Sequence, residues 1–311
     1  QHPEHVGMTQ KLVEPLLVRL PMSYDMSIQP NANLTRRSLT KHRRKQIMPT
    51  TITYIEHSCF LIETDACYLL FDYFAGEQAL PTLDMEKPLI LFNSHAHHDH
   101  FSEKIFDLRT RYPKCFFVLS EDIPVPETLR NASHVPAFSV NHQGADAQRS
   151  NSDKQAVCFM AAHTTRVLKI SENGNVSTPT VLAVSTLRSN DEGVAFLVEL
   201  EGLRFYHAGD LNNWWWDGDA EDIKLAKQYH EELARIRGQH FDAAFIPLDP
   251  RLKGWWKGIE DFMHYADADA LFPMHNFGKK GLPKKLLALD CVTSYRDRIR
   301  DVEEPGTCFF L

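Results

Sequence analysis

Pro88-Leu-Ile-Leu-Phe-Asn-Ser-His95-Ala-His97-His98-Asp99-His100-Phe101 is the stretch on which the reading of this chain turns. Leu89 to Phe92 is a short unbroken apolar run, the pattern of a buried strand. The imidazoles of His95, His97 and His100 and the carboxylate of Asp99 follow within six residues. Nitrogen and oxygen donors of this kind are what a divalent transition metal takes. A strand end that opens into a loop can aim several of them at one point, which a regular helix or strand cannot do at this spacing. His98, between these donors, is read as pointing away.

Two more donors end strand-like runs. Arg204-Phe-Tyr-His207-Ala-Gly209-Asp210 breaks at Gly209 and presents Asp210, and Ala270-Leu-Phe-Pro-Met-His275 ends on an imidazole. Alone, each is an ordinary turn aspartate or structural histidine. Three strand ends carrying His and Asp are together what a two-metal site needs.

The 311 residues are 43% hydrophobic and 24% charged, an ordinary composition for a globular chain. A net charge of −7 argues against broad, nonspecific nucleic-acid binding. No apolar run approaches the roughly 18 residues of a membrane span. The six cysteines are scattered without a CxxC pair, so they read as reduced thiols in a reducing compartment, and a cytoplasmic location is expected.

Residues 1–47, with four prolines and a basic cluster from Arg36 to Lys45, read as an N-terminal extension, a loosely ordered or docked arm. Residues 48–311 read as the domain that carries these donors. Strands are predicted over 51–56, 59–63, 68–73, 89–93, 115–119, 157–161, 166–170, 180–184, 194–199, 204–207, 242–247 and 270–274. Helices are predicted over 103–112, 219–237, 259–265 and 282–300, and a polar loop over 141–155. Strand groups each followed by helices suggest two sheets packed together with helices outside.

His95-x-His97-x-Asp99-His100, then Asp210, then His275, resembles the metallo-β-lactamase superfamily, over roughly residues 50–311. The opening Thr51-Ile-Thr-Tyr-Ile-Glu-His57-Ser-Cys-Phe-Leu-Ile-Glu63 is similar to the first hairpin of that fold. Among its branches, the stand-alone hydrolases that include ascorbate-6-phosphate lactonase-like proteins are most alike. The resemblance implies an α+β fold, a four-layer αβ/βα sandwich of two mixed sheets with the metals at one edge. It implies one or two divalent ions, zinc first, with iron or manganese as alternatives. His95 and His97 would bind the first ion, Asp99, His100 and His275 the second, and Asp210 would bridge.

The family usually places one more histidine on the first ion. Here the matching stretch reads Ser185-Thr-Leu-Arg-Ser-Asn190-Asp191-Glu192-Gly193, with no histidine. Asp191 is favoured over Asn190 as a replacement, because a carboxylate balances metal charge better than an amide. His134, His142 and His163 read as loop or strand surface.

The implied chemistry is hydrolysis by metal-activated hydroxide of a small-molecule ester, lactone, amide or phosphoester, with Asp99 and His275 as the catalytic residues. Asp99 would also accept a hydrogen bond from the nucleophile, and His275 would orient the substrate side. His57 and His207 are candidates for positioning the ligands; His57 is equally readable as structural, and His207 reads as a strand residue near the site and not a ligand. Trp214, Trp215, Trp255 and Lys253 are candidate substrate contacts; the tryptophans line a pocket or cover the core, and the lysine holds an anion or is simply solvated. A nuclease or phosphodiesterase of the same superfamily is the alternative, as is a member with an impaired site. The expected partner is a small molecule, with no membrane, and homo-oligomerisation stays open.

Overall fold

The structure, a computed structural model, describes residues 49–74, 80–130, 138–142, 154–155, 157–170 and 180–311. The extension expected over 1–47, His134 and most of the polar loop expected over 141–155 lie outside the described residues.

The strands are β1 (Thr51–Glu56), β2 (Cys59–Glu63), β3 (Tyr68–Phe71), β4 (Leu89–Asn93), β5 (Cys115–Ser120), β6 (Phe138–His142), β7 (Lys154–Gln155), β8 (Val157–Met160), β9 (Thr165–Ile170), β10 (Thr180–Arg188), β11 (Val194–Leu200), β12 (Leu203–His207), β13 (His240–Pro247), β14 (Asp267–Met274) and β15 (Cys308–Phe310). They form a seven-stranded sheet, β15-β1-β2-β3-β4-β5-β8, and an eight-stranded sheet, β14-β13-β12-β11-β10-β9-β6-β7. Both sheets are mixed: β3-β4-β5-β8 and β12-β13-β14 run parallel, the rest antiparallel. The helices are α1 (Leu108–Arg111), α2 (Glu127–Arg130), α3 (Ala220–Ala234), α4 (Lys257–Tyr265) and α5 (Leu282–Leu287).

The inner faces of the sheets meet through aromatic rings. Phe60 of β2 packs 4.6 Å from Phe245 of β13, and Phe92 of β4 meets Phe196 of β11 edge-on at 5.4 Å. The outer face of the first sheet is apolar as well: Leu70, Leu91 and Phe117 pack with Ile105 from the turn before α1. Burial on both faces explains why β4 reads as an unbroken apolar run. On the other side, α4 lies against β13 and β14. The layers are therefore helix, sheet, sheet, helix. α3 begins where Asp219 accepts hydrogen bonds from the N–H groups of Glu221 and Asp222, satisfying free helix-end donors.

Two expectations fail at the C-terminus. The helix expected over 282–300 stops at Leu287, and the chain continues in short 3-10 turns at Asp290–Val292 and Arg296–Arg298. Val292, Tyr295, Ile299 and Val302 are all buried, a spacing that one helix face would also supply and that explains why the sequence reads as helix. Ile299 must be extended to bridge Leu271 of β14, and Arg300 N–H donates to the Leu271 carbonyl. The chain then returns as β15, unforeseen from three residues, pairing antiparallel with β1.

This topology gathers the carboxyl ends of β3, β4, β12, β13 and β14, with the β1–β2 and β10–β11 turns, at one edge. His57, Asp72 and His275 leave their strands at φ of 52°, 44° and 60°. Left-handed backbone at non-glycine residues costs about 1–3 kcal/mol each and persists where the surroundings enforce it. Here it turns the chain while the side chain stays aimed at the edge.

Gly193 is the tightest of these joints. At φ +69° a Cβ there would stand 2.0 Å from the Ser94 carbonyl oxygen and 2.6 Å from His95 Cβ. Gly193→Ala is expected to lower stability by about 1–3 kcal/mol from the backbone alone, read by chemical denaturation, and to loosen metal at His95 by displacing it.

Candidate metal centre

Two groups of donors lie side by side at the edge: His95, His97 and Asp210, and His57, Asp99, His100 and His275. Within each group the candidate ligand atoms lie within 4.8 Å of one another. Asp210 stands between them. Its Oδ2 is 3.4 Å from His95 Nε2, and its Oδ1 is 3.2 Å from His100 Nε2 and 3.4 Å from His275 Nε2. His57 Nε2 is 3.4 Å from Asp99 Oδ2. His57 thus stands among the donors and not behind them, a position its place before a strand did not reveal.

The donors fit a cation. His57 Nε2, His100 Nε2 and Asp210 Oδ1 are buried without any hydrogen-bond partner, though buried polar atoms are normally paired. Electrostatics agree. Burial opposes charge on His100, yet Asp210 and Asp72 push its pKa well above the imidazole range. Burial likewise opposes charge on Asp210, yet His100 and His275 hold its carboxyl well below the usual range. The His57 ring, with Nε2 3.4 Å from its Oδ2, holds Asp99 low too. Two buried carboxylates, Asp72 and Asp210, demand positive charge between them.

Asp72, at the end of β3, was not anticipated and organises much of this centre. It is fully buried and accepts three hydrogen bonds: from Ser94 N–H at 2.7 Å, the Ser94 hydroxyl at 2.8 Å and His100 Nδ1–H at 2.7 Å. With its one proton on Asp72, the Ser94 hydroxyl accepts from His95 Nδ1–H at 2.9 Å. One carboxylate therefore fixes the tautomer of two histidines, leaving each Nε2 lone pair toward the centre. His207 has both nitrogens engaged: Nε2–H donates to the Ser58 carbonyl at 2.9 Å, and Nδ1 accepts from Gly209 N–H at 3.3 Å. It braces the turn that delivers Asp210.

Residues 51–223 match the family described as a Beta-lactamase superfamily domain. The chain belongs to the metallo-β-lactamase superfamily. Its fold is similar to that of Igni18, described as a novel metallo hydrolase, from Ignicoccus hospitalis, at 15% identity over 85% of this chain and 99% of that one, with a TM-score of 0.51. Two further solved structures are the metallo-β-lactamase fold protein YhfI of Bacillus subtilis and CmlA, a diiron β-hydroxylase of Streptomyces venezuelae. They match at 12% identity each, covering 84% and 73% of this chain and 99% and 45% of theirs, with TM-scores of 0.44 and 0.36. No curated protein matches the chain.

Where this metallo-β-lactamase chain lacks the usual histidine, two carboxylates stand in the β10–β11 turn. Asp191 lines the cleft beside His97 and Asp210, its pKa raised by burial and by Asp210. Glu192 Oε2 lies 3.3 Å from His97 Nε2 and is more than half exposed. Asn190 instead clamps loops, its amide donating to the carbonyls of Asn212 and Leu225. His163 pairs with Glu232, away from the donors. Side-chain description of His142 lies outside the described residues.

The cleft over the donors measures about 480 Å³. Trp214 and the half-open Trp216 line it, stacked at 6.4 Å, and Trp214 Nε1–H donates to the Asp210 carbonyl at 3.1 Å. Exposed His98 lines it as well, where the sequence suggested it points away. Three of the expected substrate contacts are elsewhere. Trp215 turns to the opposite side, against Lys257 and α3, because consecutive residues on a loop diverge. Trp255 packs on the core, and Lys253 is exposed and paired with Asp217. Arg251 is the cation of the cleft.

Buried Asp249, following β13, places Oδ2 3.3 Å from His275 Nδ1 and accepts from Arg251 Nε–H at 3.0 Å. Like Asp72, it has no sequence signature beyond an aspartate after an apolar strand. Among the described residues, no helix is long and apolar enough to cross a membrane.

Proposed function

We propose that this chain is a metal-dependent hydrolase of small-molecule esters, lactones, amides or phosphoesters, with residues 48–311 as the hydrolase domain. The observation that carries the reading is the shared carboxylate: Asp210 offers one oxygen to each of two donor groups. His95, His97, Asp210 and Asp191 would hold one ion; His57, Asp99, His100, His275 and Asp210 would hold the other. Zinc, iron and manganese all suit this set. Divalent ions held here supply a Lewis acid for the substrate oxygen and make water acidic enough to attack near neutral pH.

The side chains do the rest. Asp99, a quarter exposed to the cleft, accepts a hydrogen bond from the attacking water and aims it. Its depressed pKa keeps it an acceptor throughout. His275, held from behind by Asp249, fixes the substrate side, and Trp214 edge-on to its ring at 5.8 Å keeps solvent off it. This is pre-organisation: the groups stand in place before substrate arrives.

Loading the chain separately with zinc, iron and manganese, then assaying a lactone panel, aryl esters, a bis-aryl phosphodiester and a short RNA, tests the reading. Metal retained after dialysis, with turnover of a small ester, lactone, amide or phosphoester that chelator abolishes, is the expected result. No retained metal, or turnover indifferent to chelator, defeats it; cleavage of the RNA alone would make the chain a nuclease.

The replaced histidine gives a sharper check. Asp191→Asn is expected to weaken binding of one ion by about 10–100-fold in a competitive chelator titration, the scale seen when a metal site loses a supporting group. Glu192→Gln is expected to stay within about 3-fold. The reverse ranking would move the assignment to Glu192.

A further inference from the structure

The cleft holds a fixed guanidinium that the chemistry just described does not use. Arg251 lines the cleft with Asp99, Asp210 and Trp216. Its guanidinium is fixed from three sides. One edge is forked onto buried Asp249, with Nε donating to both carboxylate oxygens at 3.0 Å and Nη2 donating to Oδ2 at 2.5 Å. One face lies 4.1 Å from the centre of the Phe277 ring, and the Trp216 ring is 5.6 Å away. Nη1 has no protein hydrogen-bond partner among the described residues, and half of the side chain is open.

A buried aspartate needs only one edge of an arginine. Placing that arginine at the cleft wall, with a second edge free, provides a donor already aimed and already stripped of rotamer freedom. Its charge is permanent: the Asp249 pairing raises its pKa, and Asp210 and Asp99 add to the effect. The acidic groups around it are Asp249, Asp210 and Asp99. Asp249 is taken by the fork, and the other two belong to the donor groups, whose charge the ions would offset. Beside the guanidinium stand the stacked rings of Trp214 and Trp216, a flat apolar wall.

We infer that the substrate carries, besides its scissile bond, a second anionic group, a carboxylate or phosphate, bound by the free edge of Arg251 next to an apolar or aromatic portion lying on Trp214 and Trp216. Arg251 is then a specificity-determining residue, not part of the bond-breaking machinery. This narrows the substrate class, and it rests on the hydrolase reading only for the scissile bond.

Binding tests it without turnover. On zinc-loaded protein, phenylsuccinate and hydrocinnamate share a phenyl group and one carboxylate, and only the first has a second carboxylate. Titration by tryptophan fluorescence or calorimetry is expected to show phenylsuccinate binding about 10–100-fold tighter, the scale of a charge-assisted hydrogen-bonded pair. Arg251→Lys, which keeps a positive charge for Asp249 but lacks the fork, is expected to cut that preference to about 3-fold or less. Hydrocinnamate affinity is expected to stay constant, which separates lost recognition from a damaged site.

No preference in the unaltered protein overturns the inference, needing no variant to fold. A preference unchanged in Arg251→Lys overturns the assignment to this residue. The two readings also fail separately. Dianion preference without hydrolysis of any substrate keeps the anion site and removes the hydrolase. Hydrolysis without dianion preference does the opposite.

Discussion

Replacing Asp210 with alanine is expected to strip metal from both positions and to lower turnover by at least ~10³-fold, the rate equivalent of losing several kcal/mol of metal-derived stabilisation. Asp210 is 4% exposed and faces His95, His100 and His275 with both oxygens. No other described carboxylate touches both donor groups in this way. Alanine leaves three buried imidazoles converging on a gap that has lost the carboxylate they share. Asp99 and Asp191 would remain at the flanks, but no negative charge would stand between two cations to offset their repulsion, so the loss should be cooperative and not confined to one ion. Elemental analysis after dialysis, paired with kcat/KM on whichever panel substrate the unaltered chain accepts, reads the result. Retention of full metal content would show that Asp210 is not shared, and the two-group geometry would lose its meaning.

The sequence exposed those parts of the site that are dense or terminal. His95, His97, Asp99 and His100 were visible because four donors in six residues have little other use. Asp210 and His275 were visible because each ends an apolar run. The residues that hold these ligands in place left no such mark. Asp72 and Asp249 are single aspartates after strands, the commonest place for a turn residue, and their roles exist only through Ser94, His100 and His275 across the fold. His57 was equally ambiguous, since nothing local says that the β1–β2 turn folds under β14. The tryptophans show another limit. Trp214, Trp215 and Trp216 are adjacent in sequence, yet the middle one faces α3, and a loop has no period from which to learn that.

Both sheets were legible for a simpler reason: strands of this fold are buried on one or both faces, and their residues say so. β10 was underestimated by four residues at its end because Ser185, Thr186 and Arg188 look like loop, yet they stay in register with β11 as far as Arg188↔Val194. That extension carries the Asp191 turn to the metal edge. The overlong final helix failed in the opposite sense, since packing of Ile299 against β14 outweighed local preference.

Asp72→Asn tests whether the centre is governed from behind. The side chain keeps its shape, but Asp72 accepts from Ser94 N–H on Oδ1 and from the Ser94 hydroxyl and His100 Nδ1–H on Oδ2. An amide has one acceptor oxygen and one donor nitrogen. Whichever way it turns, its NH2 confronts a fixed N–H donor, either Ser94 or His100. The site has no water-exposed escape, because Asp72 and His100 are both fully buried. Breaking such a pair typically costs about 3–5 kcal/mol, which for a domain of this size corresponds to a fall of roughly 6–20 °C in melting temperature. With His95 and His100 no longer held in their tautomers, metal affinity should drop by about 10–100-fold as well. Asp99→Asn supplies the contrast. Asp99 is a quarter exposed and carries no comparable network, so its loss is expected to reduce turnover while the melting temperature of the metal-free chain moves by only a few degrees. Equal melting behaviour of the two metal-free variants would mean that Asp72 acts as one more donor facing the centre and not as the group that orders the others.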